Sequence, residues 1–455
     1  MRTTTRTARL SAVTMSLALI VAACGSDDDG AADDAPGNGN GDGETTETTI
    51  AEAVAPEDNE GRTDGDGSLV LGVVLPQSGD LAELGPAMIG GARMAERDIN
   101  EAGGVLGSDI ELIVRDDGGG SNDDLAITAV DELINNDGVD GIVGAAATGT
   151  SLAIVDRVTS SGTVQCSPSN TGSDLTGIDD GGLYFRTAPV DNLQAQALAQ
   201  AITEDGHENV ALIVQNSDYG VGFANFLEPA LTDSGVQVVE NITYEAEGTA
   251  IDTEVQQVVG SEPDAVALIG YPEDGGRVLA EMATQGAGAG DLPIYVTDGL
   301  QSNELFQNVD ESDPSSTEGI KGTAASAAPE DGASFFPDAF AEFAPEVASP
   351  IYSAQAYDCV VLMALAAATT ESDAPFDIAS EIINVSGGES DDAEACETYE
   401  DCVALLDEDS DINYDGAAGA GDFNEYGEPS AGEYEVYEFG AEGEFAEVSR
   451  VVVED

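Results

Sequence analysis

The sequence predicts an α/β protein of two similar lobes, each a doubly wound parallel sheet covered by helices. Short apolar runs rich in Val and Ile alternate with longer segments whose apolar residues recur at helical spacing, a pattern typical of strand–helix–strand units. The pattern runs from "SLVLGVVLP" to "TVQCSP" and starts again at "NVALIVQ". The two passes also resemble each other, since "DGVDGIVG" matches "EPDAVALIG". Each pass has roughly 120 residues, an ordinary size for one domain.

In the first pass each predicted strand leads into a predicted helix. "SLVLGVVLP" passes through the loop "QSGDLAELG" into the helix "PAMIGGARMAERDINEAGG", which ends at glycines. The strand "DIELIVRDD" precedes the helix "DDLAITAVDELINNDG", and "VDGIVGAA" precedes "TSLAIVDRVTSSG". The strand "TVQCSP" closes the pass.

The second pass repeats this order. "NVALIVQ" leads through "NSDYGVG" into "FANFLEPALTDSG", and "VQVVENITY" precedes "TAIDTEVQQVVGSEP". "DAVALIGY" and "LPIYVTDG" flank the helix "DGGRVLAEMATQG". The helix "SAQAYDCVVLMALAAATT" and the strand-rich tail "AGEYEVYEFGAEGEF" follow, and we expect them to pack back on the lobes. Two such lobes create a cleft where the carboxyl ends of both sheets face each other, the usual place for a ligand.

The charge of the chain is strongly acidic. Among 455 residues, 90 are acidic and 12 are basic, which gives a formal net charge of -78. This composition excludes nucleic acid as a partner, because binding it requires clustered Lys and Arg. The acidity indicates solvation in a salty medium, where counterions screen the repulsion between carboxylates; cation buffering is the alternative.

The N-terminus predicts export and anchoring outside the cytoplasm. "MRTTTRTAR" and the apolar "LSAVTMSLALIVAAC" form the pattern of a secretory signal peptide over residues 1–23. The ending at Cys24 resembles the bacterial lipobox, which implies lipidation of Cys24 and attachment to the cell membrane; a secreted protein with a free Cys24 is the alternative. Residues 24–67, rich in Gly, Asp, Glu and Thr, predict a disordered acidic tether.

The remaining cysteines lie in a compartment that permits disulfides. Cys396 and Cys402, in "CETYEDC", are close in sequence and are predicted to pair, closing a small loop. Cys166 and Cys359 each lie in an apolar run, so a second bridge and two buried thiols both stay open.

Catalytic chemistry finds little support in the residues. The one histidine, His207, lies in the polar turn "EDGHENV" away from the strand-end loops, which argues against a His-activated nucleophile. Lys321, in "GIKGT", lacks the glycines of a phosphate loop. Carboxylate pairs are expected by chance among 90 acids, and no tryptophan is present to stack a sugar, which disfavours a glycosidase. We therefore predict a protein that is not an enzyme and has no cofactor.

One segment has the spacing of a calcium loop. "DINYDGAAGAGD" presents oxygen-bearing side chains at Asp411, Asn413, Asp415 and Asp422 around Gly416. No helix follows, and the last acid is Asp rather than Glu, so a polar turn leading into a strand is the favoured interpretation. We predict no metal site, with calcium as the open alternative.

Two strand-end loops of the first lobe carry hydroxyls and small residues: "GAAATGTS" (144–151) and "SPSNTG" (167–172). The helix predicted to begin at Thr150 or Ser151 directs its N-terminus to the same place, which favours a carboxylate.

The second lobe contributes Tyr219, Tyr271 and Asp298 from its own strand-end loops. Neutral donors opposite one acid suit a zwitterion, with hydroxyls and amides for its carboxylate and Asp298 for its ammonium.

At these residues the chain resembles the type I periplasmic binding proteins of ABC transporters, in particular the leucine/isoleucine/valine-binding group. The resemblance runs from about Leu69 to the end, through "GVVLPQSGDLAELG", "GGARMAERDINEAGGVLG", "DGIVGAAATGTSLAI", "SPSNTGSDLT", "FRTAP", "DYGVGF" and "YVTDG". It implies a hinge of three chain crossings, near 186–189, 325–329 and 430–433. The implied N-terminal lobe is 68–187 plus 328–430, and the implied C-terminal lobe is 188–327 plus 431–455.

The resemblance also implies ligand contacts. Carboxylate contacts fall on Thr148, with the adjacent Gly149, and on Thr171, while the backbone acceptor for the ammonium falls on Ser169. The acid for the ammonium falls on Asp298. Aromatic contacts fall on Tyr219 and Tyr352.

Two departures from the family pattern concern the wall around the solute side chain. An expected aromatic is Leu84 here, and another is Gly270, with Tyr271 beside it. The amino-acid head group is therefore better supported than the solute's side chain, and amides, urea or short peptides stay open.

The resemblance implies a monomeric, lipid-anchored receptor that passes an amino acid to a membrane permease with ATPase subunits. A ligand sensor that signals to a membrane partner, and a secreted hydrolase, are the alternatives.

Overall fold

A computed structural model describes residues 65–246, 248, 251–326, 334–387, 393–419 and 422–454. The predicted signal peptide, Cys24 and the predicted tether as far as residue 64 lie outside the described residues. Among the described residues, no helix has both the length and the apolar character that crossing a membrane requires.

Within the described residues, the strands form two large sheets and a short two-stranded ribbon. In chain order the strands are β1 (Val70–Leu75), β2 (Glu111–Asp116), β3 (Gly141–Gly144), β4 (Val164–Ser167), β5 (Tyr184–Arg186), β6 (Asn209–Gln215), β7 (Gln237–Tyr244), β8 (Ala265–Ile269), β9 (Ile294–Val296), β10 (Lys321–Ala325), β11 (Glu394–Cys396), β12 (Ile412–Tyr414), β13 (Ala431–Phe439) and β14 (Phe445–Glu454).

The helices cover the faces of both sheets. In chain order they are α1 (Gly85–Glu101), α2 (Asp123–Glu132), α3 (Thr148–Ser160), α4 (Asp191–Glu204), α5 (Asp218–Asp233), α6 (Asp252–Gly260), α7 (Pro272–Thr284), α8 (Leu305–Asp310), α9 (Phe336–Phe343), α10 (Ser353–Thr370), α11 (Pro375–Val385) and α12 (Tyr399–Leu406).

The first sheet has the order β2-β1-β3-β4-β5, and all its strands are parallel. Val73 and Val74 point to opposite faces of β1, and both are fully buried. A strand buried on both faces reads as a continuous apolar run, as "VLGVVL" does. The long helix α10 packs against α1 and α11, and its residues from Ser353 to Ala367 are buried, which explains why "CVVLMALAAA" is apolar on every side.

The second sheet has the order β14-β13-β10-β9-β8-β6-β7. The strands from β6 to β10 are parallel, whereas β13 runs antiparallel to both β10 and β14. The second sheet is thus mixed at one edge rather than parallel throughout. The short turn between β13 and β14, in which Gly443 N donates to Gly440 O (3.0 Å), explains why these two strands pair antiparallel.

The chain passes between the two sheets three times. It leaves the first sheet after β5 and enters α4 at Asp191, and it leaves the second sheet after β10 ends at Ala325. It returns to the second sheet at Ala431, where β13 begins.

Both disulfides considered from the sequence are present. Cys166 on β4 is joined to Cys359 on α10, with a Cα–Cα distance of 5.7 Å. Cys396 on β11 is joined to Cys402 on α12, with a Cα–Cα distance of 5.3 Å. The first bridge ties the strand that precedes the "SPSNTG" loop to the central helix of its lobe.

One carboxylate oxygen fixes the start of the folded body. Asp373 Oδ2 accepts hydrogen bonds from the backbone N–H groups of Asp66 (3.0 Å), Gly67 (2.7 Å) and Ser68 (2.8 Å). Asp66 and Gly67, which the sequence assigns to the tether, are therefore held against the first lobe.

The segment with calcium-loop spacing is held by a protein carboxylate. Asp358 of α10 accepts hydrogen bonds from Tyr414 Oη (2.7 Å), Ala417 N (2.9 Å) and Ala418 N (2.7 Å). A Cβ on Gly416 would lie 2.6 Å from Asp358 Oδ2, so glycine is needed for this close approach. The described residues contain no group of three or more His, Cys, Asp or Glu side chains placed to hold a metal ion.

Candidate functional site

A narrow cavity lies between the two lobes, with about 330 Å³ of empty space counting the part open to solvent. All the ligand-binding residues predicted from the sequence except Gly149 line it, and residues from both lobes contribute. The lining residues are Leu81, Leu84, Met88, Ala146, Thr148, Ser169, Thr171, Tyr219, Tyr271, Asp298, Gly299 and Tyr352.

The loop after β4 is shaped by its own polar side chains. Ser167 Oγ donates to Ala145 O (2.8 Å) and accepts from Asn170 N (3.1 Å). The carbonyl of Ala146 accepts from both Ser169 Oγ (3.0 Å) and Asn170 Nδ2 (2.9 Å). These side chains hold the loop against the neighbouring strand-end loop, so their hydroxyl and amide groups serve its conformation.

The N-terminus of α3 forms one end of the cavity. The helix begins at Thr148, slightly earlier than the predicted start, and its first backbone bond runs from Ser151 N to Ala147 O (3.0 Å). The N–H groups of the first turn precede that bond and lack intrahelical acceptors, which makes this end favourable for an anion. Thr148 Oγ1 accepts from Gly172 N (3.3 Å) and so joins the two strand-end loops.

Gly149, in the first turn of α3, lies at the contact between the lobes and is not among the residues that line the cavity. A Cβ at this position would lie 3.0 Å from Asp218 Oδ2 in the second lobe. Glycine therefore permits close approach of the lobes here.

Asp298 is the acid of the opposite wall, in the turn that follows β9, and is 4% exposed. Its Oδ1 accepts from Tyr219 Oη (2.8 Å) and Gln194 Nε2 (2.9 Å), and its Oδ2 accepts from Tyr352 Oη (2.6 Å). Burial raises the pKa of Asp298, and these three hydrogen bonds act in the opposite direction by stabilising the carboxylate.

Three tyrosines surround this acid. The rings of Tyr219 and Tyr271 are stacked, with centroids 5.4 Å apart and planes 8° apart. Burial and the charge of Asp298 raise the pKa of Tyr219, Tyr271 and Tyr352 well above the usual value, so all three hydroxyls remain donors. Tyr352 has a φ of 59°, in the left-handed region that a bulky residue seldom occupies.

The rest of the wall is apolar and belongs to the first lobe. Leu81, Leu84 and Met88 are its apolar side chains. At Gly270, where the family pattern has an aromatic, a Cβ would lie 2.1 Å from Tyr244 Oη, so no larger side chain fits. Tyr271 supplies an aromatic ring to the cavity instead.

The sequence analysis did not identify two buried acids near the cavity. Asp117, just after β2, accepts from Ala146 N (3.0 Å) and Gly119 N (2.7 Å), and burial raises its pKa to about 7. Asp191, at the start of α4, is fully buried, and its backbone N–H donates to Thr171 O (2.8 Å). An acid after an apolar strand was the available signal for Asp117, whereas Asp191 resembles an ordinary helix-capping residue in the sequence.

Contacts between the lobes continue at the mouth of the cavity. Glu83 of the first lobe accepts from Ser302 Oγ (2.7 Å) and Asn308 Nδ2 (2.8 Å) of the second. Asn303 Nδ2 donates to Ala348 O (2.6 Å). The structure therefore shows the lobes in contact across the cleft.

The groups considered for catalysis lie elsewhere. His207 Nδ1 is 3.8 Å from Asp264 Oδ1, and Lys321 Nζ is 2.7 Å from Asp205 Oδ2. Neither His207 nor Lys321 lines the cavity.

A family model described as periplasmic binding protein matches residues 68–390. The chain is 26% identical over 241 residues to the Leu/Ile/Val-binding protein homolog 3 of Brucella melitensis. The aligned region covers 52% of this chain and 63% of that protein. The match thus spans less than two thirds of that relative's length. The chain is also 25% identical over 376 residues to the chemotactic signal transduction system substrate-binding protein BasB of Halobacterium salinarum, covering 80% of this chain and 85% of that protein.

Solved structures share the fold. The leucine binding protein LivK from Thermotoga maritima superposes with a TM-score of 0.69 at 22% identity, covering 85% of this chain and 99% of that chain. The branched-chain amino acid transporter substrate binding protein LivJ from Streptococcus pneumoniae, in complex with isoleucine, gives a TM-score of 0.68 at 22% identity, covering 85% and 100%. At these identities the likeness establishes the fold.

Proposed function

We propose a function from one premise: the chain belongs to the periplasmic binding protein family. The protein captures a small zwitterion, a branched-chain or related amino acid, in the cavity between its lobes and delivers it to the permease of an ABC importer. One observation carries the proposal: the N-terminus of α3 with neutral hydroxyls forms one wall of the cavity, and Asp298 stands on the other.

The polar walls select the head group. The carboxylate of the solute takes the first-turn N–H groups of α3 together with the hydroxyls of Thr148 and Thr171. The ammonium takes Asp298, which is buried and therefore strongly favours a cation as its partner. Amides and urea lack both charges, so they leave the helix terminus and Asp298 uncompensated.

The apolar wall and the cavity size select the side chain. Leu81, Leu84 and Met88 offer a surface for an aliphatic group, and the narrow space between the lobes favours a small solute. The names of relatives, Leu/Ile/Val-binding protein homolog 3 among them, agree with an aliphatic amino acid.

We also propose that the mature protein is anchored through a lipid on Cys24, on the support of the lipobox-like sequence alone. Mass spectrometry of the N-terminal peptide is expected to show diacylglycerol on the cysteine. Cys24→Ser is expected to release the protein from membranes, and a membrane-bound Cys24→Ser variant would refute the anchor.

A second candidate function is that of a ligand receptor that signals to a membrane partner. The likeness to BasB covers most of both chains, and the name of BasB states a role in chemotactic signal transduction. Capture of the ligand is the same in both functions, and the membrane partner differs. Cross-linking of the ligand-bound protein in its native membrane, followed by identification of the partner as a permease or a receptor, distinguishes them.

The binding test is calorimetry after a thermal-shift panel of amino acids, amides, urea and short peptides. We expect an aliphatic amino acid to bind best, and Asp298→Ala to weaken it at least about tenfold, because the variant leaves the ammonium buried without an acid. Asp358→Asn, which changes a buried acid that does not line this cavity, is the matched control. Unchanged affinity in Asp298→Ala would refute the assignment of the cavity.

A further inference from the structure

We propose that Asp191, a buried acid behind the cavity wall rather than in its lining, holds a proton in the free protein and releases it when the ammonium of a solute binds. The inference rests on the proposed function and couples the release of one proton to solute binding. It arises from the position, the burial and the poor hydrogen bonding of this side chain.

Asp191 is fixed beside the candidate site by its backbone. It is the first residue of α4 and follows the first crossing between the lobes. Its N–H donates to the carbonyl of Thr171 (2.8 Å), a residue of the cavity wall. A motion of the lobes or a bound solute therefore acts directly on the surroundings of Asp191.

The carboxyl group of Asp191 is buried and poorly satisfied. The residue is 0% exposed, and within the described ranges neither carboxylate oxygen has a partner at full hydrogen-bond distance and angle, although the nearby hydroxyl of Thr171 stabilises the ionised form. The other buried acids near the cleft are paired: Asp298 accepts from three side chains and Asp117 from two backbone N–H groups. A poorly satisfied ionised carboxylate is strongly disfavoured in such a place, whereas a protonated one is tolerated.

The neighbouring charges favour the protonated form. Burial and the carboxylate of Asp298 raise the pKa of Asp191 to about 8, and the hydroxyl of Thr171 and the guanidinium of Arg186 oppose the shift. Glu428 already pairs with Arg186, which offsets the positive charge. The first turn of α4 also favours a negative charge, but burial outweighs it. The other titratable groups that interact electrostatically with Asp191 are the neutral hydroxyls of Tyr219, Tyr271 and Tyr352.

A solute ammonium changes this balance. Its positive charge next to Asp298 also stabilises the ionised form of Asp191, so the proton of Asp191 leaves on binding. Binding coupled to proton release strengthens as the pH rises, up to about tenfold in affinity per pH unit while Asp191 is protonated in the free protein.

Calorimetry with the purified protein and L-leucine tests the coupling. At pH 7, titrations in phosphate and in Tris give binding enthalpies whose difference reports the protons released. We expect release by the wild type, little or none by Asp191→Asn, and a Kd for Asp191→Asn that no longer depends on pH between 6 and 8. Asp358→Asn, the buried acid away from this cavity, is expected to release protons as the wild type does. Equal proton release by the wild type and Asp191→Asn would overturn the proposal.

Unfolding of the solute-free protein tests the proton independently of any solute. A carboxyl group whose pKa is higher in the folded than in the unfolded state stabilises at low pH and loses that contribution as the pH rises toward the folded pKa. The melting temperature of the wild type is therefore expected to fall between pH 5 and 8, and Asp191→Asn, or Asp191→Ser if the first variant does not fold, to fall less steeply. An unchanged slope would refute the proton on Asp191. If no solute of the panel bound the wild type, the proposed function would fail, and this slope would still decide the protonation.

Discussion

Replacing Glu428 tests whether a buried ion pair organises the loop that lines the site. Arg186, at the end of β5, is 0% exposed, and its Nε donates to Glu428 Oε2 (2.9 Å). The same guanidinium donates through Nη1 to Gly172 O (2.7 Å) and through Nη2 to Thr176 Oγ1 (2.6 Å). Glu428 is 5% exposed and precedes the third crossing, so one ion pair links two crossings to the loop after β4.

Glu428→Gln keeps the shape of the side chain and removes its charge. The guanidinium of Arg186 then remains buried without an anion, and loss of one partner of a buried pair costs about 3–5 kcal/mol. Asp131→Asn is the matched control, because the ion pair of Asp131 with Arg157 is exposed on both sides (43% and 46%) and such pairs contribute about 0–1 kcal/mol. Replacing Arg186 and Glu428 together by Met is expected to cost less than Glu428→Gln, since no buried charge is left.

Urea denaturation followed by circular dichroism measures these differences through the midpoint and the slope. Calorimetry of the same variants measures whether the loop still binds the solute. We expect Glu428→Gln to weaken solute binding as well, because the carbonyl of Gly172 loses a firmly placed donor. A loss of less than about 1 kcal/mol in Glu428→Gln, equal to that of Asp131→Asn, would refute the reasoning.

Three further predictions concern stability. Replacing Cys166 and Cys359 together by Ser opens a loop with a sequence separation of 193 and is expected to lower the free energy of unfolding by about 5 kcal/mol on the chain-entropy model. The same change at Cys396 and Cys402, with a separation of 6, is expected to lower it by about 2 kcal/mol. Urea denaturation of the two double variants compares these losses. Burial raises the pKa of Asp117 from 3.8 to about 7, so this carboxyl group stabilises the folded protein at low pH and loses that contribution as the pH rises between these values. Over that range, the melting temperature of Asp117→Asn is therefore expected to fall less than that of the wild type. Because the net charge is -78, the melting temperature of the wild type is expected to rise from low to molar salt, and an unchanged value would contradict the role of screening.

The sequence was sufficient to predict which residues meet in the cleft. Thr148 and Thr171 follow short apolar strands of the first sheet and Asp298 follows one of the second, and the carboxyl ends of the parallel strands of both sheets face the cleft. That rule depends on chain order alone, so it survives small errors such as the start of α3. The resemblance to a known family then placed Tyr352, which lies far from the other site residues in sequence.

The supporting residues could not be predicted because they depend on packing. Gln194 reaches Asp298 from the first turn of α4, a helix that packs against β10 and β13, and Asp191 is buried where the first crossing brings α4 to Thr171. Likewise, Ser167 resembles a solute-binding hydroxyl in the sequence, whereas its hydrogen bonds to the backbone show a conformational role. Polarity alone does not reveal which way a side chain points.

The described residues that line the cavity include no Lys or Arg to bind the carboxylate of the proposed solute. Arg186, which is fully buried beside the loop after β4, does not line the cavity and is occupied with Glu428 and with backbone carbonyls. By holding the carbonyl of Asn170 (3.4 Å), it orients the N–H of Thr171 away from itself, because the C=O and N–H of one trans peptide point in opposite directions. Under the proposed function, the carboxylate of the solute is therefore bound by dipoles, namely the first turn of α3 and the hydroxyls of Thr148 and Thr171. Dipoles bind an anion without adding a charge that would compete with the ammonium for Asp298, and in the proposed mode of binding this lets one acid confer selectivity.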